Sequence, residues 1–501
     1  VLTVVTFLPL AACAVLLLTP RGLPDRACVW VWIATATADL ALVVAVWAGF
    51  DTGGGLQYEQ RARWMPSAGV GYHVGVDGLS LPLVAMTCVL FLAVAVYSLR
   101  ETRRVRSYVC VFLFLQTVSL GLFVALDLIL FFLFFDLSIV GMFFVIAGWG
   151  HGERARAAAL KFFLYTFLGS LALLLGFIGL YLAADPHTFD LTDLARADPL
   201  SGHGTYAALV LLAIGVGLAV KTPTVPFHTW LPPAHTEAPA AGSAILAGVL
   251  LKMGTYGFVR IAMPLLPGSW REYALVFLVV GAVSAVYGAL VALGQSDFKR
   301  LLAYTSVNHM GYVILAIGAA GMLAGTDAQA RSLAVTGAVV QMVSHGLITG
   351  ALFLLTGVLH DRAGTYTIDA YSGLATPSPR FAAATAVAAF ASLGIPGFSG
   401  FIAEFQIFTG SLASQAVATA IALTGILVTA ALFLRALRQM LLGPTRLPPT
   451  VRTGGFADLA GTETAAIVPL LALALLIGVL PRFLLDVIEP AGRTLVGLVA
   501  R

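Results

Sequence analysis

Apolar runs of about twenty residues recur from one end of this chain to the other, broken only by short clusters of Gly, Pro and charge. No other feature narrows its folding so far. Twenty residues rising about 1.5 Å each match a hydrocarbon layer of roughly 30 Å. Without water to satisfy backbone groups, runs of this kind fold as helices. Composition agrees, because only 10% of the 501 residues are charged and 59% are hydrophobic; soluble domains carry about 25% charged residues. The expected class is an all-α integral membrane protein. Fourteen spans are expected, near 1–19, 29–50, 80–99, 107–125, 128–149, 160–183, 205–225, 239–262, 273–293, 301–320, 332–357, 381–410, 416–440 and 464–486. The first run lacks a basic leader and a small-residue cleavage site, so it reads as a retained span rather than a signal peptide. The longest hydrophilic stretch, 51–78, reads as a turn-rich loop, and no soluble domain fits between the spans.

Charge placement orients the spans. Seventeen of the 28 Lys and Arg, among them Arg21, Arg100, Arg154, Lys299, Arg362 and Arg452, fall in loops on one side. Nine, among them Arg61, Arg260, Arg271, Arg493 and Arg501, fall on the other. Basic loops resist translocation, so both termini are expected on the outer side. The net charge of +4 comes without a basic-aromatic patch, which argues against a nucleic-acid partner. Cys13, Cys28, Cys88 and Cys110 form no CxxC pair and read as small buried hydrophobes, so no metal site is expected. No phosphate loop or cofactor fingerprint stands out.

Two cations remain unplaced by this count, Lys221 and Lys252, and both sit inside apolar runs. Asp136 lies roughly 13 Å into span 5 and Lys252 roughly 20 Å into span 8. Lys221 precedes the interruption at Pro223 and Pro226, and Glu404 follows the breaker Gly394-Ile395-Pro396-Gly397. His309 and His345 lie within spans 10 and 11. A charge at mid-bilayer depth costs at least about 2.5–3.5 kcal/mol, so such groups face the bundle interior and find partners or water. Burial and an opposite charge push an amine's proton affinity in opposite directions, and a Lys balanced between them changes protonation when its partner moves. That property suits proton relay. An isolated Lys–Asp pair also serves to lock two helices, and a membrane His often only bonds a neighbouring helix. Proline and glycine breaks beside charges further suggest unwound backbone lining a cavity.

Spans 4–8 and 9–13 can be laid over one another as five-helix units. Five is odd, so successive units enter the membrane from opposite sides, giving an inverted repeat with broken helices 7 and 12 in corresponding places. The expected division is 1–106 for spans 1–3, 107–262 for the first repeat, 273–440 for the second, and 441–501 for a linker and span 14.

Several stretches then identify a family. Lys221-Thr-Pro-Thr-Val-Pro-Phe-His-Thr-Trp-Leu-Pro-Pro-Ala-His-Thr-Glu-Ala-Pro, Leu250-Leu-Lys-Met-Gly, Asp297-Phe-Lys-Arg through His309-Met-Gly, and Gln341-Met-Val-Ser-His345 resemble signatures of the membrane subunits of proton-pumping NADH:quinone oxidoreductases. The resemblance covers nearly the whole chain. Glu404, where chain 5 and chain 2 relatives carry Lys, and the absence of a long lateral helix after span 14 resemble the chain 4 (subunit M) branch. The resemblance implies a relay of Asp136, Lys221, Lys252, His309, His345 and Glu404, with Asp136 standing for the family's usual Glu and Pro233 for a common Asp. It implies no cofactor in this chain, with NADH, FMN, iron–sulfur clusters and quinone used by other subunits. It implies as partners the other membrane-arm subunits, including neighbouring antiporter-like ones, the lipid bilayer, protons and water. The nearest alternative is a subunit of a multisubunit cation/proton antiporter or membrane-bound hydrogenase. An independent solute transporter and a purely structural scaffold are further alternatives.

Overall fold

The computed structural model describes residues 1–19, 22–323, 327–451 and 455–500, so Arg21, Arg452 and Arg501 lie outside the described residues. Among the described residues, twelve helices are long and apolar enough to cross a membrane. The first expected span is α1 (Leu2–Leu18), a helix of 17 residues. There follow α2 (Asp25–Ala48), α3 (Leu81–Tyr97), α4 (Val105–Val124), α5 (Leu128–Trp149) and α6 (Ala155–Ala183). Next come α7 (Gly204–Lys221), α8 (Ala240–Leu265), α9 (Pro267–Leu293), α10 (Phe298–Gly321) and the 36-residue α11 (Ala328–Ala363). Expected span 12 is divided between α12 (Pro379–Ser392) and α13 (Ser399–Ser414), and α14 (Ala416–Leu441) and α15 (Gly461–Val479) complete the set. Fourteen continuous spans therefore become twelve full-length helices, one shorter helix and one broken pair.

Burial sorts these helices by role. α8, α10 and α11 are almost wholly covered, whereas α6, α9 and α14 leave more than half of their residues uncovered. Leu168 on α6 and Leu427 on α14 are exposed on such faces, the arrangement that lipid, rather than water, stabilises. Lys252, His309 and His345 lie on these three covered helices.

Two elements depart from the sequence expectations. Stretch 51–78 is not only turns: β1 (Gln57–Met65) and β2 (Val70–Val76) form an antiparallel hairpin within an otherwise helical chain. Beyond α15 lies α16 (Arg482–Val499), which had been read as the end of span 14 and unlabelled tail. Its Leu484, Val487, Ile488, Leu495 and Val496 are buried while Arg482, Asp486 and Arg493 face out, the i, i+3, i+4 stripe of a helix lying on a surface. It straps α11, α9 and the last turn of α8, and Arg271 donates to Val499 O at 2.7 Å.

Each end of the bundle is tied by charge. At the hairpin end, where α1 begins and Thr3 meets Gln60, Asp127 caps α5 through the N–H groups of Ile129 and Leu130 and accepts from Gly71 N–H at 3.0 Å. There His73, on β2, sits 2.7 Å from Asp190 and 3.0 Å from Glu59. Burial pushes the Asp190 carboxyl up, but hydrogen bonds from His73 and Thr192 outweigh it and hold the group well below the usual carboxylate range. At the opposite end, which carries the basic loops, Glu463 is fully buried. It accepts from both terminal nitrogens of Arg362 at 2.7 and 2.8 Å and pairs with Arg100, joining the ends of α3 and α11 to the start of α15. Arg260, read from the sequence as a loop cation, instead lies within α8 paired with Asp77.

Candidate functional site

Lys221 is the last residue of α7 because the Pro-rich segment after it cannot continue a helix. The freed backbone finds side-chain partners: Trp230 Nε1 donates to Val220 O at 2.9 Å, and Val225 N–H to Ser284 Oγ at 3.0 Å. The break therefore leaves Lys221 buried at the tip of a helix. Its ammonium donates to Ser138 Oγ at 2.8 Å and lies 4.8 Å over the Phe135 ring.

Asp136 is on the same helix, α5, as those two partners, within electrostatic reach of Lys221 and of Ser170 on α6. Among the described residues no ion pair joins Asp136 to Lys221, and Asp136 Oδ1 accepts no hydrogen bond. Ser138 in turn donates to Phe135 O at 2.6 Å.

α8 carries two wide turns of the π type, Leu246–Leu250 and Phe258–Ala262, which no pattern of residues announces. Turns of this kind misplace one hydrogen bond and recur at functional sites. Lys252 lies between them, completely buried. It donates to Ala247 O within the first wide turn and stands 2.6 Å from His345 Nδ1. Two residues on, Gly254 is held against the end of α7, where any side chain would run into Thr222 Oγ1 and Leu218 O. The segments bearing the two lysines thus touch.

From His345 further polar groups follow. Its ring centroid is 5.4 Å from that of His309 on α10. His309 Nδ1 lies 2.9 Å from Gln341 Nε2 and 3.7 Å from Glu404 Oε1, and its Nε2 is 3.4 Å from Ser392 Oγ. Glu404, on α13, is buried beside the break between α12 and α13. Gly394 in that break has φ +67°, and a Cβ there would run into Glu404 Oε2. Both facts require glycine. A cavity of about 10 Å³ opens among His309, Gln341, Ser344, His345, Ser392 and Glu404, about the least space that admits one water.

The six residues singled out in the sequence therefore fall into two groups. Lys252, His345, His309 and Glu404 form one continuous series. Lys221 and Asp136 form another, joined to the first where α7 meets α8. In the first group, Lys252, His345, His309 and Glu404 are all side chains able to take and give a proton, and each lies near the next. Sequence reading missed the neutral residues that fill the intervals, Ser138, Gln341 and Ser392. It also missed Asp39, a fully buried acid on α2 that accepts from Gln116 Nε2 at 2.7 Å. A charge inside an apolar run was the available signal for Asp39.

Comparison with known proteins gives a consistent picture. A family model described as NADH:quinone oxidoreductase/Mrp antiporter, transmembrane region, matches residues 125–429. The chain is 40% identical to the NADH-quinone oxidoreductase subunit M of Rhodobacter capsulatus over 502 aligned positions, covering 98% of this chain and 95% of that one. It superposes on a chain of respiratory complex I from Thermus thermophilus with bound NADH at a TM-score of 0.88 and 30% identity, covering all of both. A chain of the Mrp complex from a Dietzia species shares the fold at a TM-score of 0.86 and 22% identity, over 100% and 99% of the two chains.

Proposed function

The chain belongs to the NADH:quinone oxidoreductase/Mrp antiporter family, in its subunit M branch, and we propose on that footing that it translocates protons as a membrane-arm subunit of an NADH:quinone oxidoreductase. The observation that carries this reading is the buried series Lys252–His345–His309–Glu404, in which each proton-bearing group stands within reach of the next. Withdrawal of Asp136 from Lys221 removes the anion that favours a charged amine, and the Lys221 proton moves toward Lys252. From there it passes by His345 and His309 to Glu404 and leaves the membrane. Quinone reduction in other subunits, with NADH, FMN and iron–sulfur clusters, drives the cycle; this chain supplies the proton path and no redox group. Neighbouring antiporter-like subunits are the partners that move Asp136.

The same reading takes 107–262 and 273–440 as inverted repeats. In support, α7 breaks immediately after Lys221 and the α12–α13 pair breaks just before Glu404. It places the chain in the inner (plasma) membrane with both termini on the outer side, so the hairpin end faces out and the basic loops face in.

Lys221→Ala and Glu404→Gln test the relay in the intact complex. Both variants are expected to assemble at normal levels and to lower proton pumping at least about tenfold, less than the roughly 100-fold or more that a positioned acid or base contributes. Normal pumping by both rejects the relay. The shared fold with the Mrp chain supports a second reading, a subunit of a cation/proton antiporter. Copurification from the native membrane separates the two: NADH-binding and iron–sulfur subunits accompany the chain only under the first.

A further inference from the structure

Between α7 and α9 runs a groove of about 480 Å³ that no side chain fills. Leu212 and Val216 stand on one wall and Tyr273 and Val276 on the other, with Phe258 of α8 and Ile314 of α10 also lining it. Gly215 adds nothing to the wall, although a Cβ there would meet only the Phe277 ring at 3.6 Å, an ordinary contact. Leu209, Leu212 and Val276 are each more than half uncovered. Apolar surface of this extent is stable only against other apolar groups.

At the hairpin end of the bundle the groove gives way to a polar cavity of about 380 Å³. The two are contiguous: on α7 Gly204 and Ala207 line the cavity while Thr205 and Ala208 line the groove, and on α9 Glu272 passes to Tyr273. Asp198, Arg271 and Glu272 border the cavity together with the hydroxyls of Ser201 and Ser269. Arg271 spends one terminal nitrogen on Val499 O, and neither carboxylate forms an ion pair among the described residues. Tyr206 and Tyr273 stand at the level of the junction, and tyrosines collect where hydrocarbon meets headgroups. From Thr205 to Val216 α7 rises about 16 Å, close to half of a hydrocarbon layer of roughly 30 Å. A charged cavity at headgroup level, opening into an apolar groove one leaflet long, has the outline of an amphiphile.

We propose that this cleft is a phospholipid site, taken by one lipid whose headgroup carries a primary amine. The phosphate lies against Arg271, whose planar fork suits its oxygens. The ammonium lies against Asp198 and Glu272, and one acyl chain runs between α7 and α9. Two acids and one arginine leave the cavity net negative, so a purely anionic headgroup is repelled and one bearing its own cation is preferred. Val225 and Phe227, in the segment that unwinds after Lys221, line the same groove. The chain therefore packs against the break as well as against the two helices.

The test uses the intact complex purified in detergent, with a trace of phosphatidylethanolamine carrying a photoreactive diazirine in its acyl chain. Labelled peptides are identified by mass spectrometry, and assembly is read on native gels. The label is expected on α7 and α9, displaced by added phosphatidylethanolamine and not by an equal amount of phosphatidylglycerol. Arg271→Gln is expected to lower that label about tenfold, the worth of one hydrogen bond to a charged group. Val276→Trp, which fills the groove from an exposed position, is expected to remove most of it. Glu272→Gln is expected to let phosphatidylglycerol compete. Arg271 also holds Val499, so Val276→Trp and Glu272→Gln decide the matter if Arg271→Gln fails to assemble. Label missing from α7 and α9 of the parent complex overturns the site. Label displaced equally by both lipids and unchanged in the variants overturns it too, and leaves only passing contact with bulk lipid. A Val276→Cys variant that cross-links to a neighbouring subunit while the parent takes no label shows instead that a partner helix fills the groove.

Discussion

Single side chains decide whether this interior can hold charge at all. Lys221 donates to Ser138 and lies over an aromatic face, so its protonated form leans on one hydroxyl as well as on the Asp136 charge nearby. A hydrogen bond to a charged group contributes about 1.5–3 kcal/mol. Ser138→Ala is therefore expected to cut the proton-to-electron ratio several-fold in vesicles while Ser138→Thr preserves it. Gly394 is constrained twice, by its left-handed backbone and by Glu404 against its Cα. Gly394→Ala is expected to cost about 1–2 kcal/mol from the backbone alone, read as a lower unfolding temperature of the detergent-solubilised complex, with pumping reduced as Glu404 is displaced. Lys221, Lys252 and Glu404 were legible in the sequence because an ionised group inside an apolar run is costly and hence purposeful. Ser138, Gln341 and Ser392 were not, because serine and glutamine in a membrane helix look the same whether they line a path or bond the turn above. Lys299 was misread for a different reason. Next to Arg300 at a helix start it looked like one more loop cation, and only its burial tells the two apart.

At the level of elements, period and punctuation recovered most helices, including the breaks after Lys221 and before Glu404. The hairpin escaped because a stretch dense in Gly and charge between two spans carries a turn signal stronger than its short alternation. The wide turns in α8 escaped because the π form has no compositional mark. The hairpin docks through His73 and Asp190, which gives it a pH dependence of definite sign. The folded Asp190 carboxyl titrates below its unfolded value of about 3.9. Its contribution is therefore complete above about pH 4 and is lost as pH falls through the lower, folded value. Asp190→Asn is expected to loosen the hairpin at pH 7, with the difference from the parent protein closing in strong acid. Amide exchange of residues in β1 and β2 at the two pH values checks this.

For the whole molecule, the buried carboxylate of Glu463 is the knot that joins the ends of three helices. Glu463→Gln leaves Arg362, nine-tenths covered, without its counter-charge, and stranding a buried charge costs on the order of 3–5 kcal/mol. Arg100, nearly half exposed, adds little because water screens it. The fraction of the chain retained in the assembled complex is expected to drop, as quantitative blotting of native gels will show. Lys252, His309 and His345 each stand near the middle of α8, α10 and α11, with Glu404 beside them. A charge handed along that row travels parallel to the membrane plane, so the transmembrane voltage does almost no work on it. The full toll, about 2.3 kcal/mol per charge for each 100 mV, falls on the vertical legs at either end. A respiratory membrane that is strongly polarised will therefore slow proton loading and release and leave the sideways passage untouched.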